Sequence, residues 1–404
     1  MILPRLVIAV SILFWILILY YAVLSVAGLI YRTRRKKEVS LESYQDVDIL
    51  IPARNEGKVL FETLDAMAKL DYPGKYTVYV LNDSSEDNTK EIAEFFEKKY
   101  KNFKHIEVPE GSPKGKSRVL NYGLTISKSK IIAVYDADNE PDKFALRRLI
   151  EQMSNNPKNA GAVGYVKTKN IYKNSLTRMI GLEFMLFQLV MQCGRWQLFK
   201  FGTLTGTNFV IKRQVIEELS GWDNYALAED AELTARIYAK GYLIPVVDDS
   251  ITYEQEPESF KVFFKQRTRW LIGNLYLISK IFNEPELRKG KNFINNIQLV
   301  SVYYVFVFFV IASDIWFVLG LLNRLSIPYT IPLLLLWFET LWIYTSEIIA
   351  SEVIDNEINF KNTIFAFLMY FTYAQLWIIL AIRSYFLKFK QREKQIVWDK
   401  TPRF

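Results

Sequence analysis

The stretch KIIAVYDAD, residues 130–138, places a short apolar run directly before two aspartates that one alanine separates. An uninterrupted apolar run of this kind is typical of a strand buried on both faces of a parallel sheet. Three β-rich runs precede it along the chain, each followed by a helical pattern, at 47–51, 76–81 and 103–108. Strands that alternate with helices predict an α/β domain with a mainly parallel sheet.

Polar residues follow each of these strands. They lie at 52–56, 82–85, 114–116 and 136–138. Because ligands of such sheets bind outside the carboxyl ends of the strands, these residues are the first candidates for a site. Asp136 and Asp138 are the clearest pair, since carboxylates on either side of one small residue suit a hard cation such as Mg²⁺ or Mn²⁺. The same spacing also occurs in an ordinary turn before a helix, so the pair alone leaves both interpretations open.

A glycine-containing stretch after the third strand, GSPKGKS at 111–117, has the ending of a phosphate-binding P-loop. The full motif also requires a glycine at position 110, where this chain has Glu110. We therefore do not expect a nucleotide-triphosphate P-loop. Lys116 and the backbone amides at the start of the next helix still suit a diphosphate, because helix amino termini attract anions.

Glu229 and Asp230 form an acidic pair after GWDNYALA, at the start of a predicted helix over 231–240. Acidic residues in this place ordinarily cap a helix and complement its dipole. The alternative interpretation makes one carboxylate a general base. His105 is the single histidine of the sequence, so we expect any catalysis to depend on carboxylates, lysines and arginines.

The run QRTRW, residues 266–270, lies in a segment over 260–282 whose apolar residues crowd one face. This pattern predicts a helix that lies at a membrane surface. Arginine offers a planar fork that suits phosphate, and tryptophan offers a flat face for a sugar ring or a cation. The run therefore has two compatible interpretations, a membrane-surface helix and a clamp for a sugar diphosphate.

Residues 6–31 carry no charge, and they exceed the roughly 20 residues that a helix needs to cross a bilayer. A basic cluster follows at 32–37, which favours the cytoplasm for that end and places the amino terminus outside. A signal peptide is not expected, because the apolar run is long and ends in basic residues without a small-residue cleavage site.

Three more apolar runs follow near the carboxyl end, at 296–322, 328–350 and 364–387. We expect all three to span the membrane, although this puts the basic tail outside. In the alternative, the middle run, which contains two prolines, is re-entrant. The tail then returns inside, and the acidic loop 351–358 lies outside. Three ionisable side chains lie within these runs, where such groups usually mark a pathway or a paired interior position; they are Asp314, Glu339 and Glu347.

These boundaries divide the chain into five parts. A first membrane segment at 1–37 precedes an α/β domain at 45–255 and interfacial helices at 256–290. A second membrane region at 294–388 and a basic tail at 389–404 follow. The net charge of +8 comes largely from the cluster after the first apolar run and from the tail, which indicates attraction to anionic lipid. No basic stripe with interleaved aromatics lies between them, so we expect no nucleic-acid partner. Cys193 is the single cysteine, which excludes an internal disulfide and a thiolate metal site.

Taken in chain order, these motifs resemble the membrane-embedded processive glycosyltransferases of family 2, the group that contains cellulose, chitin, hyaluronan and poly-N-acetylglucosamine synthases. The resemblance covers roughly 45–285 and includes the stretches IPARNE, NDSSEDNT, KGKSRVLNYGL, GTNFVIKR and GW…AED. It implies a Rossmann-like glycosyltransferase A-type domain, inserted between transmembrane helices of the cell membrane and facing the cytoplasm.

The resemblance implies an inverting transfer from a nucleotide-diphosphate sugar, expected to be a UDP-sugar, with Mg²⁺ or Mn²⁺ as cofactor. We expect a β-linked polysaccharide as the product, exported along the transmembrane helices. Two alternatives stay open. One is transfer of a single sugar to a membrane lipid, since glycosylceramide synthases resemble the same motif set, and the other is an inactive scaffold that only binds the sugar nucleotide. The expected partners are the donor, a growing glycan or lipid acceptor, and the bilayer.

The resemblance also assigns roles to single residues. The donor nucleotide and its diphosphate are assigned to Pro52, Arg54, Glu56, Asp83, Lys116, Asp136, Gln266 and Arg269. The metal is assigned to Asp138 and Asp136, and the acceptor to Trp270, Gly206, Thr207 and Asn208. Asp230 is the expected general base, with Glu229 as the second candidate. The family commonly has threonine where this chain has Ala228, which removes one hydroxyl and leaves the aspartate in place.

Overall fold

The computed structural model describes residues 2–34, 41–289, 307–322 and 330–390, with the single residues 292, 293, 296 and 324. Four predicted features therefore lie partly outside the described residues. They are the basic cluster after residue 34, the starts of the apolar runs at 296–322 and 328–350, and the tail after residue 390.

The α/β domain is built on one sheet. Its described strands are β1 Val47–Ala53, β2 Tyr76–Asn82, β3 Phe103–Glu107, β4 Ile131–Val134, β5 Glu140–Pro141, β6 Gly161–Thr168, β7 Phe209–Lys212 and β8 Val246–Glu254. They lie in the order β3-β2-β1-β4-β7-β6-β8-β5. The half β3-β2-β1-β4 is parallel throughout and β6 is parallel to β8, whereas β7 is antiparallel to both neighbours and β5 is antiparallel to β8. The predicted α/β domain with a mainly parallel sheet is confirmed.

Helices surround this sheet and extend away from it. They are α1 Ile2–Thr33, α2 Leu60–Ala68, α3 Thr89–Lys99, α4 Lys116–Ile126, α5 Ala145–Ser154, α6 Ser175–Phe184, α7 Gln192–Phe199, α8 Arg213–Glu218, α9 Glu229–Ala239, α10 Phe260–Asn283, α11 Val307–Leu321, α12 Thr330–Ile354, α13 Phe360–Phe371 and α14 Tyr373–Lys390. A π-helix, Met185–Met191, joins α6 to α7, and a 3₁₀-helix, Pro285–Arg288, follows α10.

Helices cover both faces of the sheet, and successive side chains of a strand point to opposite faces. Each strand therefore contributes to two cores. On β1, Ile49 and Ile51 belong to the core under α2, α3 and α5, whereas Leu50 belongs to the core under α4, α8 and α9. This arrangement explains why the strands are continuous apolar runs. It also leaves the carboxyl ends of the strands as the edge that is open for a ligand.

Two helical stretches among the described residues are long and apolar enough to cross a membrane. One is Ile12–Thr33 in α1, as predicted. The other is Ser175–Phe199, which was not predicted from the sequence. Its most apolar 18-residue stretch is 83% buried inside the protein. A further candidate is α13 together with α14, two helices that are bent by 41° at their junction. The last predicted run is therefore a bent pair of helices.

The middle apolar run forms α12, a continuous helix of 25 residues. Pro332 lies in the first turn of α12, where a missing amide hydrogen costs little, so this proline does not interrupt the helix. The helix contains three glutamates and is not among the candidate spans described above.

The carboxyl end of α1 is attached to β8. Arg32 Nη1 lies 2.5 Å from Asp248 Oδ2. The Tyr31 hydroxyl donates a hydrogen bond of 2.8 Å to the carbonyl oxygen of Val246. The first apolar helix therefore ends directly on the sheet.

The loop after α12 is attached to the neighbouring strand β6. Lys167 Nζ lies 3.0 Å from Asp355 Oδ2 and 2.9 Å from Glu357 Oε1. The Tyr165 hydroxyl donates a hydrogen bond of 3.1 Å to Asp355. The loop after α12 therefore contacts the α/β domain directly, a contact that the re-entrant alternative does not predict.

Candidate active site

A cavity of ≈ 580 Å³ opens at the carboxyl ends of β1, β2 and β4. The starts of α4 and α9 and one face of α10 contribute to its walls. Thirteen of the fifteen predicted site residues line it, namely Pro52, Arg54, Glu56, Asp83, Lys116, Asp136, Asp138, Gly206, Glu229, Asp230, Gln266, Arg269 and Trp270. The fold therefore brings separate motifs, spread from residue 52 to residue 270, to one place.

The loop after β1 is held by the loop after β2. Asn55 has a positive φ of 54°, which asparagine tolerates better than most residues. Its amide donates to Ser85 Oγ at 2.9 Å, and its Oδ1 accepts a hydrogen bond of 2.7 Å from the Glu86 amide. The Glu56 amide donates to Thr89 Oγ1 at 2.8 Å. PARNE and NDSSEDNT are thus two halves of one structural unit.

Asp83 lies in this unit, with its carboxylate directed at two arginines. Arg118 Nη2 donates a hydrogen bond to Asp83 Oδ1, and Arg54 Nη1 lies 3.8 Å from Asp83 Oδ2. The two guanidinium groups fix the carboxylate at the cavity wall. Arg118 was not predicted, although its position two residues after Lys116, near the start of the same helix, was a usable signal.

Lys116 is the first residue of α4 and joins the two sides of the cavity. Its Nζ lies 2.6 Å from Asp136 Oδ1 and 3.2 Å from Glu229 Oε1, and it donates to the carbonyl oxygen of Gly206 at 2.7 Å. Burial lowers the pKa of Lys116, but the charges of Asp136 and Glu229 outweigh burial and raise it above its usual value. A charged ammonium group therefore links the predicted donor side to the predicted base.

Asp136 and Asp138 are positioned by hydrogen bonds from behind. The Asp136 amide donates to Thr207 Oγ1 at 3.0 Å, and Thr207 Oγ1 donates to Asn139 Oδ1 at 2.9 Å. Asn139 Nδ2 donates in turn to Asp138 Oδ1 and to Glu254 Oε2, each at 3.4 Å. This chain holds the Asp-Ala-Asp turn at the end of β4.

The two aspartates fit a hard divalent cation by their chemistry, because Mg²⁺ and Mn²⁺ prefer oxygen ligands. In the part of the chain that the structure describes, no three His, Cys, Asp or Glu side chains are grouped closely enough to hold an ion by themselves. Mg²⁺ commonly binds one or two carboxylates together with substrate oxygens. Asp136 and Asp138 would therefore suit an ion whose remaining ligands come from substrate phosphate.

The structure places two predicted acceptor residues away from the cavity. Asn208 is fully buried, and its Nδ2 donates to the carbonyl oxygens of Tyr165 at 3.2 Å and Ser250 at 2.8 Å. Thr207 supports the Asp-Ala-Asp turn. Of the three residues, Gly206 alone lines the cavity, and its φ of 80° requires glycine. The Asn208 side chain therefore joins β6 to β8 and the Thr207 side chain holds the Asp-Ala-Asp turn, which corrects their predicted place at the acceptor entrance.

Asp230 lies half-buried at the cavity wall, and its Oδ1 accepts a hydrogen bond of 2.8 Å from the Ala231 amide. Burial and the neighbouring Glu229 carboxylate raise the pKa of Asp230 to about 7, against a lowering effect of Lys116. A carboxyl group with this pKa is matched to proton transfer near neutral pH. Since Glu229 is paired with Lys116 at 3.2 Å, the geometry favours Asp230 over Glu229 as a base.

The two arginines of QRTRW have different surroundings. Gln266, Arg269 and Trp270 line the cavity. Arg267 is fully buried, and its Nη2 lies 2.9 Å from Glu183 Oε2. Neither the role of Arg267 nor its partner was predicted, because the partner lies 84 residues earlier in the chain.

α10 approaches the acidic pair closely at one point. A Cβ on Gly273 would lie 2.8 Å from both the Cβ and the amide nitrogen of Ala228. No larger residue fits at position 273 unless the two segments separate. Gly273 and the small Ala228 therefore set the distance between QRTRW and Asp230.

The cavity continues from Trp270 into the space between the carboxyl-terminal helices. Its aromatic lining there includes Tyr21, Tyr344, Tyr370, Tyr373 and Trp377, and its polar lining includes Thr340, Glu347 and Gln375. The predicted intramembrane acid Glu347 accepts a hydrogen bond of 2.9 Å from Ser25 of α1. Glu339 accepts one of 2.8 Å from the Trp15 indole. Both glutamates are therefore paired with α1.

A sequence profile of the glycosyltransferase like family 2 matches residues 45–273. The chain belongs to this family. A family 2 relative, the probable glycosyltransferase YdaM of Bacillus subtilis (strain 168), is 39% identical over 403 residues, which are 97% of this chain and 96% of the relative. Its match extends through both apolar regions.

Two other family 2 relatives are named for different products. Beta-monoglucosyldiacylglycerol synthase of Synechocystis sp. (strain ATCC 27184 / PCC 6803 / Kazusa) is 27% identical over 58% of this chain and 49% of its own length. Poly-beta-1,6-N-acetyl-D-glucosamine synthase of Staphylococcus aureus (strain COL) is 23% identical over 69% of this chain and 66% of its own length. This chain thus spans about half of the former and two thirds of the latter.

Among solved structures, the mannosyltransferase PcManGT from Pyrobaculum calidifontis, in complex with GDP-Man and Mn²⁺, matches with a TM-score of 0.60. The match covers 95% of this chain and 99% of that chain at 16% identity. It confirms the predicted glycosyltransferase A-type fold. The prediction that the chain is a glycosyltransferase that uses a sugar-nucleotide donor is confirmed by the family and the relatives.

Proposed function

We propose that this family 2 glycosyltransferase transfers a sugar from a UDP-sugar to a growing glycan, with inversion at the anomeric carbon, and passes the product into the helix bundle. The observation that carries the proposal is the single cavity that joins the strand ends to the space between α1, α12, α13 and α14. Its aromatic faces and scattered polar groups suit sugar rings, which have apolar faces and hydroxyl edges.

The donor lies across the strand ends in this proposal. Asp83, fixed by Arg54 and Arg118, accepts hydrogen bonds from the nucleoside, while Lys116 and Arg269 bring positive charge to the diphosphate. Asp138 and Asp136 would hold Mg²⁺ or Mn²⁺, which would supply positive charge for the leaving diphosphate. Lys116 and Arg269 add to the stabilisation of the leaving diphosphate, because the cavity wall directs their positive charges at it.

Asp230 removes the proton from the acceptor hydroxyl, and the acceptor oxygen attacks the anomeric carbon as the diphosphate leaves. Its pKa of about 7 makes it a competent base near neutral pH. The neighbouring carboxylates of Glu229 and Asp136 are paired with Lys116, so a one-step displacement is favoured over a covalent intermediate. One displacement inverts the centre, and an α-linked donor gives a β-glycoside.

Transfer of one sugar to a membrane lipid is the second candidate, favoured by the apolar residues of the helix-lined part of the cavity, such as Ile343 and Ile348. The two candidates separate when the purified full-length chain in lipid nanodiscs is given radiolabelled UDP-sugars one at a time. High-mass, alkali-stable glycan supports polymer synthesis. A labelled product that partitions into chloroform would refute it in favour of the lipid, and donor binding without any transfer would leave only the inactive scaffold.

We infer further that the chain is a multi-pass cell-membrane protein with its catalytic domain in the cytoplasm. The support is the basic residue Arg32 at the end of α1, bound to the sheet, and the contact of the loop 351–358 with the same sheet. With α12 ending on the cytoplasmic side, the helices before and after it cross in the opposite direction. The α/β domain of 45–255 and the helices of 256–290 act as one catalytic unit in this proposal, because α10 forms a wall of the cavity.

A further inference from the structure

Arg267 is the arginine of QRTRW that faces away from the cavity. Its side chain is 0% exposed, and its Nη2 lies 2.9 Å from Glu183 Oε2. The Tyr373 hydroxyl donates a hydrogen bond of 2.8 Å to the same oxygen. One carboxylate oxygen therefore connects α6, α10 and α14.

The guanidinium group of Arg267 also lies over Trp270. Its Cζ is 4.0 Å from the centroid of the Trp270 ring, and it is 5.2 Å and 5.4 Å from the rings of Phe184 and Phe263. Phe184 stacks on Trp270 with centroids 6.4 Å apart and planes inclined by 22°. Because a cation over an aromatic face is attracted most strongly where water is excluded, Arg267 restrains the plane of a ring that lines the cavity.

Glu183 and Tyr373 both lie at irregular points of their helices. Glu183 lies two residues before the π-helix Met185–Met191, and Tyr373 is the first residue after the bend between α13 and α14. Single π-helical segments often occur at functional positions. Glu183, Tyr373 and Trp270 all line the cavity where it passes from the strand ends into the helix bundle.

We propose that Arg267 is a positioning residue for the acceptor: it fixes the plane of Trp270 and, through Glu183, fixes that ring relative to the start of α14. The proposal rests on the proposed function and on the predicted role of Trp270 in supporting the acceptor sugar. The acceptor hydroxyl must lie within hydrogen-bond reach of Asp230. A displacement of about 1 Å can cost roughly 10²-fold in rate, so a loose platform lowers transfer without touching the donor.

Arg267→Lys tests this role because it keeps a positive charge for Glu183 and removes the planar group over Trp270. In the full-length chain in lipid nanodiscs, we expect kcat/KM for an added acceptor to fall by roughly 10- to 10²-fold, while the Kd of UDP stays within about two-fold. Arg213→Lys is the matched control, since Arg213 is a largely buried arginine bound to Ser129 O at 2.8 Å and does not line the cavity. It should leave both quantities unchanged.

The double variant Arg267→Met with Glu183→Gln separates positioning from stability. Replacing a buried ion pair by uncharged residues often leaves a fold as stable or more stable, so its melting temperature should match the parent chain. We expect the same loss of acceptor kcat/KM in this variant. Unchanged acceptor kcat/KM in either variant would overturn the proposal, as would a loss in Arg267→Lys that falls equally on UDP binding and melting temperature. If the product is a glycolipid, polymer synthesis is refuted, and the role of Arg267 is measured with the lipid acceptor instead.

Discussion

Replacing Asp230 by asparagine tests the proposed general base with little change in shape. Asparagine keeps the size of the side chain and caps helices well, but it cannot take a proton from the acceptor hydroxyl. We expect glycosyl transfer to fall by roughly 10²-fold or more, the usual scale of general-base loss. This corresponds to about 2.7 kcal/mol in the activation barrier. If Asp230 were only a helix cap, the same change would cost almost nothing.

The pH dependence of the parent chain follows from the raised pKa of Asp230. The base acts only when it is deprotonated, so transfer should weaken as the pH falls through about 7. The transfer rate should therefore decline as the pH drops below neutral and reach a plateau at higher pH. The small residual activity of Asp230→Asn should lack this dependence.

As the pH rises, the contribution of Asp230 to the free energy of unfolding should fall while the transfer rate increases. The folded-state pKa of Asp230, about 7, lies above its ordinary value of 3.8, so the folded chain binds this proton more tightly than the unfolded chain does. The stability that the bound proton contributes is lost as the pH rises through about 7. At pH 8 asparagine removes a charge that its surroundings disfavour, and the melting temperature of the variant should equal or exceed that of the parent chain.

Both properties are measured on one purified preparation. Calorimetry gives the Kd of UDP, a thermal scan gives the melting temperature, and radiolabelled donor gives the transfer rate at pH 6, 7 and 8. Transfer retained above about a tenth of the parent rate would refute the assignment and make Glu229 the next candidate, because general-base loss rarely costs so little. A parallel loss of UDP affinity would show instead that the change had disturbed the donor site.

Chelation should abolish transfer and Mg²⁺ or Mn²⁺ should restore it, whereas Asp138→Asn should be inactive with either ion; full activity of that variant in chelator would remove the aspartate pair from the site. Trp270→Ala should impair transfer more than UDP binding, because the lost ring supports the acceptor, and near-normal polymer yield would contradict this. Gly273→Ala should lower kcat by roughly 10-fold or more at unchanged UDP affinity, because its Cβ would lie 2.8 Å from Ala228 and separate α10 from the base; an unchanged kcat would show that this spacing is unimportant. Asn356→Cys should react with an impermeant maleimide in inverted vesicles only, against the buried native cysteine as background, and labelling of intact cells would place its loop outside.

The first half of the sheet could be predicted because each strand is one local run followed by its own helix. β1 to β4 lie within a residue or two of the runs at 47–51, 76–81, 103–108 and 130–136. The strands β5 to β8 were not predicted, because the alternation of one strand with one helix does not continue after β4. β4 pairs with β7, which joins Ile131 to Lys212, and no local pattern indicates a partner that far away.

The sequence predicted those site residues whose type follows from the ligand that they would bind. Carboxylates for a cation and cations for a diphosphate can be recognised in a sequence, and these residues line the cavity. The direction of a side chain cannot be recognised in the same way, so the buried side chain of Asn208 was assigned to the acceptor. Glu183 was not predicted, because it acts by pairing with Arg267, 84 residues later in the chain.

Two ion pairs hold adjacent strands of the sheet to α1 and to the residue that follows α12. Arg32 at the end of α1 binds Asp248 on β8, and Asp355 after α12 binds Lys167 on β6. Attachment at two points removes the rotation that a single tether would leave. Under the proposed function, this two-point attachment holds Asp230 at one distance from the helix bundle, and the product advances by one sugar length at each addition without a swing of the whole domain.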